Sequence, residues 1–301
     1  MNIHFENVNL NSTSGPNSFA NKLVRYFPTV GVAFNLAEKP DAHLCFIETA
    51  KLKFDKPMFQ RLDGIYFNTA SDYKLQNRNI KRTYDLADGV IFQSEFNKQL
   101  ISKYFGTHSN SIVIHNGADL TTIKSAPVLQ LDRYENLWSC AASWRPHKRL
   151  GENIKYFLEH SGDNDGLIVA GAVSKTEQIK SKKIHYVGNL TQNQLYSLYK
   201  KSKYFIHLAW LDHCPNVVVD ARACGCQIIC SSAGGTKEIA GKDATIIKEP
   251  DWDFEPVELY NPPKLDFSNK MDNIFESEYS MSYVAQKYFD FMRDLNEPVR
   301  I

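Results

Sequence analysis

In DHCPNVVVDARACG, residues 212–225, two aspartates flank a short apolar run: Asp212 stands ahead of Cys-Pro-Asn and Asp220 follows three valines. Asn216 suits an N-cap, Val217–Val219 begin an apolar stripe and Gly225 suits a helix end. The segment predicts a short helix with Asp212 in the preceding loop and Asp220 on the second turn. A helix start presents N–H groups without intrahelical acceptors and so binds anions such as a diphosphate; here these are the amides of Asn216, Val217 and Val218. Asp220, one turn on, can accept hydrogen bonds from a ribose diol. Asp212 can meet the hydroxyls of a sugar on the other side of the phosphates. A plainer account fits the same residues, since the macrodipole stabilises an acidic side chain near a helix start by about 0.3–1 kcal/mol.

A second cluster lies upstream in ASWRPHKRL, residues 142–150, which follows a strand-like run and opens a helix. A departing nucleoside diphosphate gains negative charge, and cations such as Arg145 and Lys148 stabilise it together with helix N–H groups. A solvated basic loop is the alternative reading. Arg149 is a third cation beside the pair.

The elements that must position these groups alternate along the chain. Strands are expected at 2–5, 30–34, 42–47, 58–62, 89–93 and 111–115, with helices at 17–26, 73–86 and 94–104. The second half repeats the pattern, with strands at 137–142, 167–170, 185–187, 204–208, 227–230 and 245–247. Its helices are expected at 150–160, 191–200 and 217–224, with another starting near Thr236. Such alternation implies two parallel α/β units. A polar, Pro-containing seam at 121–136 divides them, giving domains 1–125 and 126–281. Residues 249–269 read as loop. A last helix from about 282 carries a wide apolar face (Tyr283, Val284, Tyr288, Phe289, Phe291, Met292, Leu295) that must pack on something.

Composition narrows the class. The 301 residues allow two domains, and 43% hydrophobic with 12% aromatic residues is enough for packed cores. Lys+Arg 35 against Asp+Glu 34 leaves a net charge of +1, which argues against a nucleic-acid-binding protein. The six cysteines show no metal spacing, and Cys45, Cys140 and Cys230 sit in apolar runs as buried thiols. The amino terminus lacks the basic and apolar regions of a signal peptide, and no apolar run of about 18 residues exists to span a bilayer. The expectation is a soluble, cytoplasmic protein.

The stretch DHCPNVVVDARACGCQIICSSAGGTKEI resembles the donor-site segment of the family 4 (group 1) retaining glycosyltransferases, which have the GT-B fold. That family carries two acidic residues separated by seven, then a small-residue helix end, a strand and a Gly-Gly-x-x-Glu turn. Asp212, Asp220, Gly234, Gly235 and Glu238 match, although the family usually has glutamates where this chain has shorter aspartates. Arg145 and Lys148 look like the family's basic pair at the donor diphosphate. STSGPNSF, residues 12–19, resembles the loop that faces the donor phosphates, with Gly15 as its glycine; a tight turn is the other reading. The segments 87–98 and 114–119 also match, mainly as framework. At the end of KPMFQRLDG, where many relatives carry a histidine near the reacting sugar, Arg61 and Asp63 stand instead. Asp63 can bind the acceptor or assist proton transfer, or the two can form a structural pair. The resemblance spans about residues 12–240 and is strongest over 142–240.

The resemblance implies two Rossmann-like domains facing each other across a cleft, with the terminal helix (282–301) crossing back to the N-terminal domain. It implies transfer of a hexose from a UDP- or GDP-sugar to a glycan, glycoconjugate or other hydroxyl acceptor, with retention and with no metal or other cofactor. The catalytic set is then Asp212, Arg145, Lys148 and Asp63. The donor side comprises Gly15, Arg145, Lys148, Asn216, Val217, Val218 and Asp220, with the base near Gly188 in 187–190; Arg61 and Asp63 stand on the acceptor side. Two other functions use the same features: a nucleotide-sugar epimerase of this fold, and an inactive nucleotide-sugar-binding protein. A dehydrogenase fits least, because no G-x-G-x-x-G follows the first strand.

Several signals carry less. Asp163-Asn164-Asp165 and Asp251-Trp252-Asp253 are D-x-D strings, but neither ends an apolar strand. Lys180, Lys182, Lys183, Lys200, Lys201 and Lys203 suggest a solvated face, or at most weak association with a membrane surface. His213 either touches substrate or points to solvent.

Overall fold

The computed structural model describes residues 1–12, 14–35 and 39–296. Contacts divide the chain into two compact units: 1–117 with 254–257 and 278–301, and 118–253 with 258–277. The final residues expected in the last helix, 297–301, lie outside the described residues.

The N-terminal unit comprises β1 (Asn2–Glu6), α1 (Gly15–Tyr26), β2 (Ala33–Phe34), β3 (Ala42–Phe46), β4 (Met58–Leu62), α2 (Tyr73–Leu86), β5 (Gly89–Phe92), α3 (Glu95–Phe105) and β6 (Ser111–Val113). They form a six-stranded parallel sheet in the order β2-β1-β3-β4-β5-β6. β3, β4 and β5 are buried throughout, which is why they show no polar alternation; the polar residues inside them, His43, Gln60 and Arg61, are themselves buried. The strand expected from Val30 is shorter than its apolar text. Phe27–Val30 closes as a 3-10 turn, ended by Gly31 at φ 76°, and leaves only Ala33–Phe34 to pair.

The C-terminal unit comprises α4 (Leu120–Ser125), β7 (Leu137–Ala141), α5 (Leu150–His160), β8 (Gly166–Ala170), β9 (Ile184–Gly188), α6 (Gln192–Lys201), β10 (Tyr204–His207), α7 (Asn216–Ala223), β11 (Gln227–Ser231), α8 (Thr236–Ile239), β12 (Thr245–Ile247) and β13 (Lys270–Met271). Their sheet runs β13-β12-β11-β10-β7-β8-β9, with only β13 antiparallel. The polar stretch expected to be a linker opens with α4, for which Asp119 is the cap: its carboxylate accepts from Thr122 N at 3.0 Å and Thr122 Oγ1 at 2.6 Å. The irregular stretch 249–269 contains one crossing, where Val257 bridges Asn68 of the N-terminal unit.

The last helix, α9 (Met281–Asn296), belongs to the N-terminal unit and packs against α1. Met281, Val284, Ala285, Tyr288 and Met292 form its buried face, in one cluster with Phe19, Phe46, Phe59 and Ile91. At about 1.5–3 kcal/mol for each large side chain, this seam is a main support of the unit. Tyr283 turns outward and is 45% exposed. Gly89 and Gly117 permit the close approach, since a Cβ on either would stand about 3 Å from α9 side chains.

Strand order sets the place for chemistry. From β7 the chain moves outward through β8 and β9, then returns to lay β10 on the other side of β7. The carboxyl ends of β7 and β10 therefore flank the crevice where open α/β sheets bind ligands. Arg149 fastens this region. Its guanidinium meets Glu249 at 2.7 and 2.6 Å and also bonds the Leu208 and Pro263 carbonyls, with both side chains nearly inaccessible. Asn153 adds a second tie, donating to the Lys148 and Arg149 carbonyls and accepting from Leu208 N. Glu249→Ala leaves a buried guanidinium unpaired and is expected to lower the unfolding free energy in urea by about 3–5 kcal/mol. The apolar pair Arg149→Met with Glu249→Leu should recover most of that loss; a single variant as stable as wild type would show the pair to be dispensable.

Candidate active site

The segment after β7 carries Arg145, Pro146, His147 and Lys148 through a 3-10 turn. Arg145 is exposed and forms no ion pair among the described residues. Lys148 is turned inward, with Nζ 2.5 Å from Asp212 Oδ2. Trp144 anchors the start of the loop by donating to the Ala170 carbonyl at 2.9 Å, and Trp210 N bonds the His147 carbonyl at 2.7 Å. The loops after β7 and β10 are thus joined by backbone as well as by charge.

Asp212 is the most constrained predicted residue. Leu211 before it adopts φ 55°, a costly conformation for a branched side chain. Gly235 N donates to the Asp212 carbonyl at 2.8 Å, and Gly234 lies so close that a Cβ there would come within 2.5 Å of that oxygen. Glycine is needed at Gly234, φ 93°, to let the two loops touch. The carboxylate is held on three sides: Lys148 and His207 Nε2 (2.9 Å) on Oδ2, and His213 N (3.1 Å) on Oδ1. Burial by itself would raise this carboxyl, but Lys148 and His207 outweigh it and hold it well below the usual range. Burial lowers His207 more than Asp212 raises it, so the ring is neutral and donates from Nε2. Burial likewise lowers His147 and His213 to about 4, with Lys148 adding to it in both.

The helix carrying Asp220 begins one residue earlier than expected. Asn216 is its first residue, preceded by Pro215 at φ −68°, and no side chain caps it. Proline's fixed φ prepares the helical turn and displaces Asn216 from the cap position. Val218 N already donates to the Pro215 carbonyl at 3.1 Å, so one of the three amides assigned to an anion has a partner in the chain. Asp220 is 7% exposed, and after burial its charge helps push the Tyr196 and Tyr199 hydroxyls of α6 upward. Gly188 ends β9 at φ 69°, with its carbonyl accepting from Gly171 N.

In the N-terminal unit Arg61 and Asp63 bond each other directly. Arg61 is fully buried, its guanidinium 4.1 Å from the Phe19 ring centroid and 5.1 Å from that of Phe46. Its other donors go to Asn116 Oδ1 (2.8 Å) and Tyr288 OH (3.1 Å). Asp63 also accepts from Gln93; burial pushes its carboxyl up while Arg61, kept charged by the pair, opposes that. Arg61 therefore supports Asp63 from beneath, and Asp63 is the half-buried member. Gly15 is the first residue of α1, not a left-handed turn, and a Cβ there would meet nothing.

Other predicted features resolve into structure. Asp165 accepts from Asn136 N and Nδ2, Trp138 Nε1 and Gly162 N, so this D-x-D string braces two loops. Lys183, Lys200, Lys201 and Lys203 are tied to Gly162, Ala126, Asp132 and Asn136. His213 is half-buried and does not point into solvent. Among the described residues no three His, Cys, Asp or Glu side chains converge to hold a metal, and no helix is long and apolar enough to cross a membrane. A groove of about 900 Å³ between α2 and α3, lined by Tyr73, Arg78, Lys81, Tyr104 and Phe105, contains none of the predicted residues. Sequence reasoning missed His207, Asn153 and the Arg149–Glu249 pair. The one available signal was a polar residue ending an apolar strand, as in KYFIH.

The two Rossmann-like units and the terminal helix define the GT-B fold of glycosyltransferases. Residues 141–254 match the family described as Glycosyl transferases group 1, and the matched segment bears Arg145, Lys148, Asp212 and Asp220. Similar solved structures include AviGT4, a glycosyltransferase involved in avilamycin A biosynthesis (TM-score 0.66, 11% identity, 98% of each chain covered). Sucrose-phosphate synthase from Thermosynechococcus elongatus is another (TM-score 0.63, 12% identity, 99% of this chain and 92% of that one). A third is HepE of Anabaena in complex with UDP-glucose (TM-score 0.62, 13% identity, 98% and 97%). At these identities the likeness establishes the fold. No curated protein matches the chain in sequence.

The lowered histidines generate a pH dependence. Between the ordinary histidine pKa of about 6.5 and about 4, the unfolded chain takes up protons that folded His147 and His213 refuse. Unfolding free energy should therefore fall as pH drops through that window. The double variant His147→Gln with His213→Gln should show a shallower slope in urea unfolding at pH 6.5, 5.5 and 4.5; an unchanged slope would remove these two rings as its source.

Proposed function

We propose that the protein transfers a hexose from a nucleoside-diphosphate sugar, a UDP- or GDP-sugar, to a hydroxyl of a glycan, glycoconjugate or other acceptor. Retention at the anomeric carbon is part of the proposal and rests on the family resemblance. The single observation that carries the reading is the Lys148–Asp212 pair beside exposed Arg145 at the crevice between β7 and β10. A cation, the carboxylate it pairs with and a helix that starts shortly after that carboxylate support a site for a diphosphate joined to a sugar.

In the reaction the bond from the anomeric carbon to the diphosphate oxygen breaks, and its electron pair leaves with the nucleotide. The acceptor oxygen bonds the anomeric carbon and gives up its proton to the departing diphosphate oxygen. Arg145 and the two remaining N–H donors of Lys148, with the Val217 amide in the first turn of α7, stabilise the charge that builds on the diphosphate. Asp212 accepts from the donor sugar, Asp220 from the ribose diol, and the turn at Gly188 lies toward the base. Asp63, in the N-terminal unit, serves the acceptor. The metal-free reading follows from these cations taking the place of a metal at the phosphates. HepE, similar in fold, binds UDP-glucose, which supports a nucleotide-sugar donor here.

Calorimetric titration with UDP, GDP and ADP tests the reading. One nucleotide should bind wild type clearly, and Asp220→Ala should weaken it by about 1–3 kcal/mol, as loss of a charged hydrogen-bond acceptor requires. Absence of binding of all three up to millimolar concentration sinks the donor site.

A further inference from the structure

His207 lies outside every motif, yet among the described residues it is the only side chain other than Lys148 that bonds the Asp212 carboxylate. It ends β10, is 4% exposed, and its Nε2 stands 2.9 Å from Oδ2. A carboxylate offers about four acceptor positions, two on each oxygen. His207 and Lys148 occupy both on Oδ2, and His213 N takes one on Oδ1. One position remains, on Oδ1. The backbone cannot shift to change this, because Gly234 and Gly235 press against Asp212 and fix its carbonyl. Aspartate has one rotatable bond fewer than glutamate, so holding Oδ2 fixes where Oδ1 points.

Building on the donor-site reading, we infer that His207 is a positioning residue that aims the free Oδ1 position of Asp212 at a single hydroxyl of the donor hexose. The carboxylate then grips one hydroxyl and not a vicinal pair, and His207 sets which one. The ring is suited to this because it is neutral: it donates one hydrogen bond and adds no second cation to compete with the Lys148–Asp212 pair. A nucleoside diphosphate without its sugar makes no use of the Oδ1 position, so sugar and nucleotide binding should respond differently to changes at residue 207.

Two variants separate positioning from bulk. His207→Gln keeps an N–H near the place of Nε2, whereas His207→Phe keeps the ring and removes the donor. Wild type and both variants would be titrated with UDP, GDP and ADP, and then with the glucose, galactose, mannose and N-acetylglucosamine esters of whichever nucleotide binds. The nucleotide alone should bind all three proteins within about threefold. The preferred sugar ester should lose about 10–100-fold in His207→Phe and be largely restored in His207→Gln. Equal binding of that ester by wild type and His207→Phe overturns the inference. So does a parallel loss of nucleotide and ester that His207→Gln does not restore, which would make the ring a packing residue. So does a wild type that binds every ester no more tightly than the bare nucleotide. A wild type that binds none of the three nucleotides is distinguishable from all of these, and overturns the donor site together with the role of His207.

Discussion

The pairing of β7 with β10 is the constraint on which the C-terminal unit depends. These strands lie more than 60 residues apart in sequence and share only the register Trp138–Tyr204 and Ser139–Phe205. Parallel sheets whose order reverses at one point leave a crevice outside the carboxyl ends of their strands. What distinguishes this chain is how the crevice is closed off beneath. Arg149 and Glu249, buried and bidentate, tie the loop after β7 to the segment after β12, while Asn153 bonds both the first loop and Leu208.

On that base the electrostatics of Asp212 become intelligible. A carboxylate this sheltered would ordinarily be driven toward its neutral form, because burial disfavours charge. Lys148 and a neutral His207 reverse the balance, and an ionised acceptor stands at the mouth of the crevice. Lys148 spends one of its three donors on Asp212, which leaves two for other partners. Arg145, exposed and without an ion pair among the described residues, is the cation that can move toward a ligand.

The N-terminal unit handles charge differently. Arg61 is completely enclosed, with two aromatic faces, Asp63, Asn116 and Tyr288 consuming its donors. Such a residue holds others in place and does not reach out. Because Tyr288 comes from α9, the setting of Asp63 depends on the terminal helix remaining packed on the unit, which links the apolar face of that helix to a side chain at the end of β4.

Much of this was legible in sequence, for physical reasons that can be named. Strands buried on both faces are mostly apolar and lack polar alternation, so β3, β4, β7 and β8 announced themselves. The separation of Asp212 from Asp220 follows from a loop and a helical turn, both local matters. The apolar stripe of α9 had to be covered by something. Other features depend on groups that meet only after folding. Whether Arg145, Lys148 or Arg149 faces a ligand cannot be read from RPHKR; Glu249, a hundred residues away, takes Arg149 inside. Arg61 and Asp63 were a pair open to two meanings until Phe19, Phe46 and Tyr288 enclosed one of them. Asn216 is a good cap by type, but the preceding proline begins the helix geometry and moves it inside. His207 was an unexplained polar residue in an apolar strand; the loop after β10 folds Asp212 back onto its ring, and the pairing of β10 with β7 brings Lys148 to the same carboxylate. Local pattern determined the elements and the spacing of the acidic pair. The tertiary structure decided which charges are spent on one another, because burial and partner distance, not residue type, set the state of each.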